Sequence, residues 1–283
     1  MPCFLGRVVT LGGQLPLLMG VDACGQRSYG KSTPFCDEPN LNAPPSRLLS
    51  TVGLLLSGGL DSCVLLAQLL AQGRRVQPFY IRTDVVWAAA ELAAIRRFLQ
   101  ILDTSALADL QVFDLPLADL YQDHWSISGL NTPDADTPDE AVYLPGRNAL
   151  LALKPLIWCQ AHHIEELALA VLAGNPFADA QPEFLNRLAS AMSLSQNGQR
   201  VTITRPLAQL SKDAVLRLGH GLPLEHTFSC ISPRDGLHCG ECNKCEERRA
   251  AFRRVGLTDA TVYAPQALAE SASRSSVLLP PGT

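Results

Sequence analysis

The sequence predicts an α/β protein built on a doubly wound, parallel, five-stranded sheet with a cysteine-rich segment after it. Three observations predict this. From Thr51 onward, short apolar runs alternate with stretches of helical periodicity, the pattern of a parallel sheet with helices on both faces. The first run, Thr51–Leu56, ends in a glycine turn that leads straight into a second apolar run, Cys63–Leu70, which reads as strand, tight turn and helix. The 283 residues are 47% apolar and 18% charged, enough to bury a full core and unlike a disordered chain.

Strands are expected at Thr51–Leu56, Val76–Arg82, Leu110–Leu115, Glu166–Leu172 and Arg200–Thr204. Helices are expected at Asp61–Ala71, Val85–Leu102, Asn148–His163, Gln181–Leu194 and Ser211–Leu218. Asn148 and Ser211 are placed to cap their helices, and Gly73 and Gly219 to stop theirs. The connection from Pro116 to Gly146 has no clear periodicity and carries Asp134, Asp136, Asp139 and Glu140. A loop of that length is either a lid over a site or a solvated acidic excursion.

Residues 1–48 read as an N-terminal extension whose Pro34–Pro45 part is a linker, with a strand pair within Arg7–Leu18. Residues 49–225 then form the α/β domain, 226–258 the cysteine segment and a helix, and 259–283 a tail. Gly25-Gln26-Arg27-Ser28-Tyr29-Gly30-Lys31-Ser32 satisfies the Walker A pattern letter by letter. The prolines at 34, 39, 44 and 45 leave no helix for its phosphate cradle, so the match is read as accidental.

The net charge of −4 argues against a nucleic-acid partner, whose binding face is basic. No run approaches the roughly 20 apolar residues of a membrane span. The Val8–Leu18 stretch makes a poor signal peptide, so a cytoplasmic location is expected. Nine cysteines, an odd number, read as thiols rather than a disulfide framework. A homodimer is compatible with the sequence.

Two constellations carry chemistry. In Ser57-Gly58-Gly59-Leu60-Asp61-Ser62, the glycines let the backbone approach a bound group. Ser57, Ser62 and the free N–H groups of a helix start offer donors to an anion. Asp61 beside an anion makes sense when a divalent ion such as Mg2+ bridges them. A plain capped turn is the competing reading. Cys230, Cys239, Cys242 and Cys245 form a C-x8-C-x2-C-x2-C array. Four thiolates suit tetrahedral Zn2+ in a closed structural site, one ion per chain; an iron–sulfur cluster or a redox pair are the alternatives. His238 flanks the array and is read as an exposed neighbour.

With both constellations in view, residues from about Val52 to Asp259 resemble the PP-loop ATP pyrophosphatase superfamily, whose core is HUP-like, and within it the 7-cyano-7-deazaguanine synthase family of queuosine biosynthesis. The resemblance rests on the Ser57–Ser62 loop, Leu144-Pro145-Gly146-Arg147-Asn148, Arg205-Pro206-Leu207 with Lys212, and the cysteine array followed by Arg248. It implies an ATP-dependent ligase in which a carboxylate is adenylated, ammonia gives an amide, and a second activation leaves a nitrile. Ser57, Gly58, Gly59, Leu60, Asp61 and Ser62 would then hold ATP and Mg2+. Asp61, Arg147 and Lys212 would be catalytic, the two cations facing the departing pyrophosphate.

Two stretches depart from the family pattern: Tyr80–Ala90 reads YIRTDVVWAAA and Gly174–Phe184 reads GNPFADAQPEF. Both follow strand ends at one sheet edge and are expected to line the acceptor pocket, with Asn175 and Asp179 contacting the substrate. A tRNA thiolase-like relative and a non-catalytic zinc and nucleotide-binding module are the rival functions.

Overall fold

Alternating apolar runs are buried as strands. The computed structural model describes residues 49–194 and 199–265; the strand pair, the linker and the Walker A look-alike of residues 1–48 lie outside them. The strands are β1 (Leu49–Leu55), β2 (Arg74–Arg82), β3 (Gln111–Asp114), β4 (Glu166–Ala168) and β5 (Thr202–Thr204). Their order is β3-β2-β1-β4-β5, and every ladder is parallel.

The helices are α1 (Leu60–Ala71), α2 (Ala88–Leu102), α3 (Ala118–Tyr121), α4 (Trp125–Ser128), α5 (Arg147–Ala161), α6 (Pro182–Leu194), α7 (Lys212–Leu218) and α8 (Asn243–Val255). Two apolar layers sandwich the sheet. On one face Leu65 and Leu66 of α1, Ile95 and Phe98 of α2, Val215 and Leu216 of α7 and Phe252 of α8 pack together. On the other, Leu156 of α5 and Leu185 of α6 cover Phe79, Leu167 and Ile203. The sheet is thus doubly wound.

Three sequence expectations shift. β4 ends at Ala168 rather than Leu172, because β5, its neighbour, is only three residues long and offers no further partner. Helix α5 begins at Arg147, behind Gly146 in the left-handed conformation (φ +73°), so Asn148 lies inside the first turn rather than at the cap. The loop from Pro116 to Gly146 holds α3, α4 and a 3-10 turn at Asp139–Val142. Ser211 caps α7 as expected, its hydroxyl accepting from Ala214 N at 3.2 Å.

Strand order reverses between β1 and β4. In open parallel sheets, ligands bind beyond the strand ends at such a point. The turn leaving β1 lies there.

Candidate active site and metal centre

The glycine turn is held by its own side chains. Gly58 has φ +76°, and a Cβ there would lie 2.9 Å from Ile95 Cγ1 and 3.0 Å from the Glu91 carbonyl oxygen, so conformation and space both demand glycine. Ser62 is buried and donates its hydroxyl proton to the Gly59 carbonyl at 3.0 Å. Its oxygen lies 3.2 Å from Ser57 Oγ, which accepts from Gly59 N at 3.3 Å. Ser62 therefore braces the turn, whereas Ser57 is exposed. Leu60, which opens α1, is a core residue, 1% exposed.

A cavity of about 600 Å³ opens over this turn, and Ser57, Gly59, Asp61, Arg147, Asn175 and Lys212 are among its walls. A smaller space of about 230 Å³ shares Ser57, Asp61, Arg147 and Asn175. The structure thus brings together the residues expected at the anion site. Lys212 Nζ lies 2.8 Å from Asp61 Oδ2 and 3.6 Å from Glu247 Oε1. Three buried polar atoms on residues of these walls have no partner: Asp61 Oδ1, Arg147 Nε and Ser229 Oγ. Buried groups of this kind are rare without a ligand, ion or water to satisfy them.

Of the divergent stretches, Trp87 and Gly174 to Phe177 reach the large cavity. Trp87 stacks on Trp125 with ring centroids 5.6 Å apart, and the Arg147 guanidinium lies 6.0 Å from the Trp87 centroid. Asn175 Oδ1 accepts from Phe177 N at 3.0 Å. Asp179 is placed differently: it is 4% exposed, and its carboxylate accepts from Asn148 N at 3.1 Å and Asn148 Nδ2 at 2.9 Å. It anchors the start of α5, which carries Arg147, and it does not line either cavity.

The four cysteines converge. Each can offer a sulfur within 4.8 Å of every other, and all four are buried. Cys230 and Cys242 sulfurs are 3.8 Å apart, and those of Cys239 and Cys245 are 3.9 Å apart. Backbone N–H groups of Ser232 and Cys239 donate to Cys230 Sγ, and those of Glu241 and Cys242 to Cys239 Sγ, all within 3.4 Å. Gly240 (φ +80°) makes the turn between neighbouring ligands. His238 is 3% exposed rather than solvated; its Nε2 accepts from Ser229 N at 3.2 Å, and it is not among the residues whose ligand atoms converge with the sulfurs. Cys63 and Cys159 are buried singly in the core.

The cysteine segment and the cavity are one construction. Phe228 N donates to the Gly58 carbonyl at 2.7 Å. Asp134 bridges Cys242, and Asn243 N donates to the Pro133 carbonyl at 3.0 Å. On α8, Lys244 pairs with Asp139 at 2.9 Å and with Glu247 at 2.8 Å. The acidic loop is therefore docked as a wall of the cavity. Arg248, 2% exposed, donates to Thr261 Oγ1, Thr227 Oγ1 and the Leu224 carbonyl, tying α8 to the chain on both sides of it. Sequence reading missed Glu91, Lys244 and Glu247 as cavity residues. Only Glu91 left a signal, as the lone charged residue of the run from Val85 to Ile95.

A parallel sheet with a glycine turn at its switch point, and a four-cysteine segment closing the cavity above it, define a PP-loop type α/β protein. The chain belongs to the family described as queuosine biosynthesis protein QueC, whose model matches residues 51–256. It is 30% identical over 234 residues to the 7-cyano-7-deazaguanine synthase of Acaryochloris marina (strain MBIC 11017), covering 75% of this chain and 98% of that one. It is 31% identical to the enzyme of the same name from Thermosynechococcus vestitus (strain NIES-2133 / IAM M-273 / BP-1), covering 75% and 94%. Among solved structures, a predicted subunit of tRNA methyltransferase from Methanocaldococcus jannaschii is similar with a TM-score of 0.42 at 15% identity, covering 77% of this chain and 93% of that one. No helix among the described residues is long and apolar enough to cross a membrane.

Proposed function

We propose that the chain is an ATP-dependent ligase that converts 7-carboxy-7-deazaguanine to 7-cyano-7-deazaguanine with ammonia. Membership of the family supports the reaction. The observation that carries it at this site is the pair of unsatisfied buried atoms, Asp61 Oδ1 and Arg147 Nε, on the walls of one cavity. An acceptor left open at the start of α1 and a donor left open at the start of α5, both facing one cavity, fit a metal-bound polyphosphate.

In this reading the exposed Ser57 hydroxyl and the backbone of Gly58 to Ser62 hold the phosphates, and Asp61 holds Mg2+. Magnesium supplies charge neutralisation on the phosphates. Arg147 and Lys212 face the charge that develops as pyrophosphate leaves. The acceptor ring lies toward Trp87 and Asn175, on the part of the cavity built by the divergent stretches, and Asp179 acts through Asn148 by fixing the start of α5.

The four cysteines hold Zn2+ as a closed structural site. A tetrahedron of sulfurs about 2.3 Å from zinc has edges of roughly 3.8 Å, and two of the sulfur separations are 3.8 and 3.9 Å.

Incubation with the acid, ATP, Mg2+ and ammonium, with mass detection of the nitrile and of AMP, tests the assignment. Nitrile and AMP are expected together. AMP formed only with another carboxylate would move the chain to a sister function.

A further inference from the structure

Glu91 is a cavity carboxyl with no place in the anion site. It projects from the first turn of α2, half-buried, and lines both the large cavity and the smaller one beside it, together with Ser57, Asp61 and Arg147. The Tyr80 hydroxyl, from β2, lies 3.0 Å from Glu91 Oε2 and 3.0 Å from the Ala88 carbonyl oxygen. Tyr80 has one proton for two acceptors. A carbonyl can only accept, so when Tyr80 donates to Ala88, Glu91 can itself donate to Tyr80. When Glu91 is charged, the tyrosine proton can turn to it. The pair is built to serve the carboxyl in either protonation state.

The charged groups facing Glu91 come from separate elements. Burial lifts the carboxyl to about 7, against Arg147 of α5 and the hydrogen bonds from Tyr80 and Trp87, which favour its ionised form. Asp61 and Lys212, themselves paired, line the same cavity.

Given the reaction proposed above, on which this inference rests, nitrogen enters as ammonia and leaves as a nitrile. In the first half a C–N bond forms, the C–O bond to AMP breaks, and the nitrogen loses one proton. In the second, the amide oxygen takes AMP from a second ATP. The nitrogen then loses its remaining two protons as the C–O bond to AMP breaks and the C≡N bond is completed. Both carboxylate oxygens depart on AMP, and all three N–H protons must go to a base. We propose that Glu91 is that base, accepting each nitrogen proton in turn and returning it to solvent through the open cavity. A base poised close to the working pH suits this role.

The test measures nitrile formation and acid-dependent pyrophosphate release against pH, for the wild type, Glu91→Gln and Tyr80→Phe. Nitrile formation by the wild type should rise through a midpoint near 7. Glu91→Gln should lose nitrile formation by roughly 100-fold, with pyrophosphate release falling by less than about tenfold. Tyr80→Phe removes a donor to the charged carboxyl, so the midpoint should move up. A nitrile-forming wild type whose Glu91→Gln variant matches it, or a midpoint unmoved in Tyr80→Phe, overturns the role of Glu91 alone. A wild type that makes no nitrile overturns the reaction, and this inference with it.

Discussion

Lys212 Nζ stands between two carboxylates, 2.8 Å from Asp61 Oδ2 and 3.6 Å from Glu247 Oε1, and so joins the glycine turn to α8. Asp61 lies in the first turn of α1, Lys212 opens α7 and Glu247 belongs to the helix that carries Cys245. One ammonium group thus reports on three elements. The two carboxylates favour its charged form and outweigh the burial that opposes it, so its pKa is raised.

Asp61→Ala should abolish AMP formation, by roughly 100-fold or more, while leaving the fold intact. Asp61 is half-buried and contributes an ion pair with Lys212, which keeps Glu247 as its second partner, so its loss removes chemistry more than apolar burial. Product assays beside a thermal melt check this. Near-normal turnover would remove Asp61 from the site.

Cys242→Ser should lose the bound metal and unfold at lower temperature, because a closed four-thiolate site contributes folding energy. Cys242 also carries the bridge to Asp134, so the wall formed by the acidic loop should become open to protease. Metal analysis of the wild type should find one zinc per chain; iron, or a stable metal-free protein, would refute the assignment.

Asp179→Ala should destabilise the protein by roughly 1–3 kcal/mol, the cost of leaving buried donors unmade. Its two hydrogen bonds go to Asn148, one residue beyond Arg147. ATP turnover should therefore fall with stability at elevated temperature, and acceptor affinity should change little at low temperature. A large selective rise in acceptor KM would instead place Asp179 on the ligand.

Glu91→Gln should be more stable than the wild type at alkaline pH. The carboxyl is raised from 4.5 to about 7 by burial, so the folded state holds a proton that the unfolded chain releases above 4.5. The stabilising effect of the neutral carboxyl is complete below 4.5 and is lost as pH rises to about 7. Glutamine does not titrate. Its advantage should appear across that window and level off above it, on the order of 1–2 kcal/mol given the solvent in the cavity. Denaturant melts at pH 4.5 and 8 measure it; equal differences at both would show that Glu91 is not held neutral.

The glycine turn, the cysteine array and the alternation of strand and helix are local patterns, and all are legible in the sequence. A helix start with small residues before it can bind an anion wherever it folds, and four cysteines within 16 positions can close on a metal with little help. The sequence therefore determined the sheet class and the position of the turn at its switch point. It also singled out Asp61, Arg147 and Lys212, which the structure gathers around one cavity.

Only the tertiary structure decided what those residues face. Asp179 reads as a substrate contact in a divergent loop, yet burial against Asn148 turns it into a helix anchor. Glu91 reads as the one charge of the apolar run from Val85 to Ile95, yet Tyr80 on β2 and Arg147 on α5 make it a titratable wall of the cavity. The length of β4 was likewise set by β5, and the shape of the acidic loop by α8. Each of these outcomes depends on a partner more than 10 residues distant in the chain, and spacing along a sequence carries no record of which distant group arrives to pair with a charge.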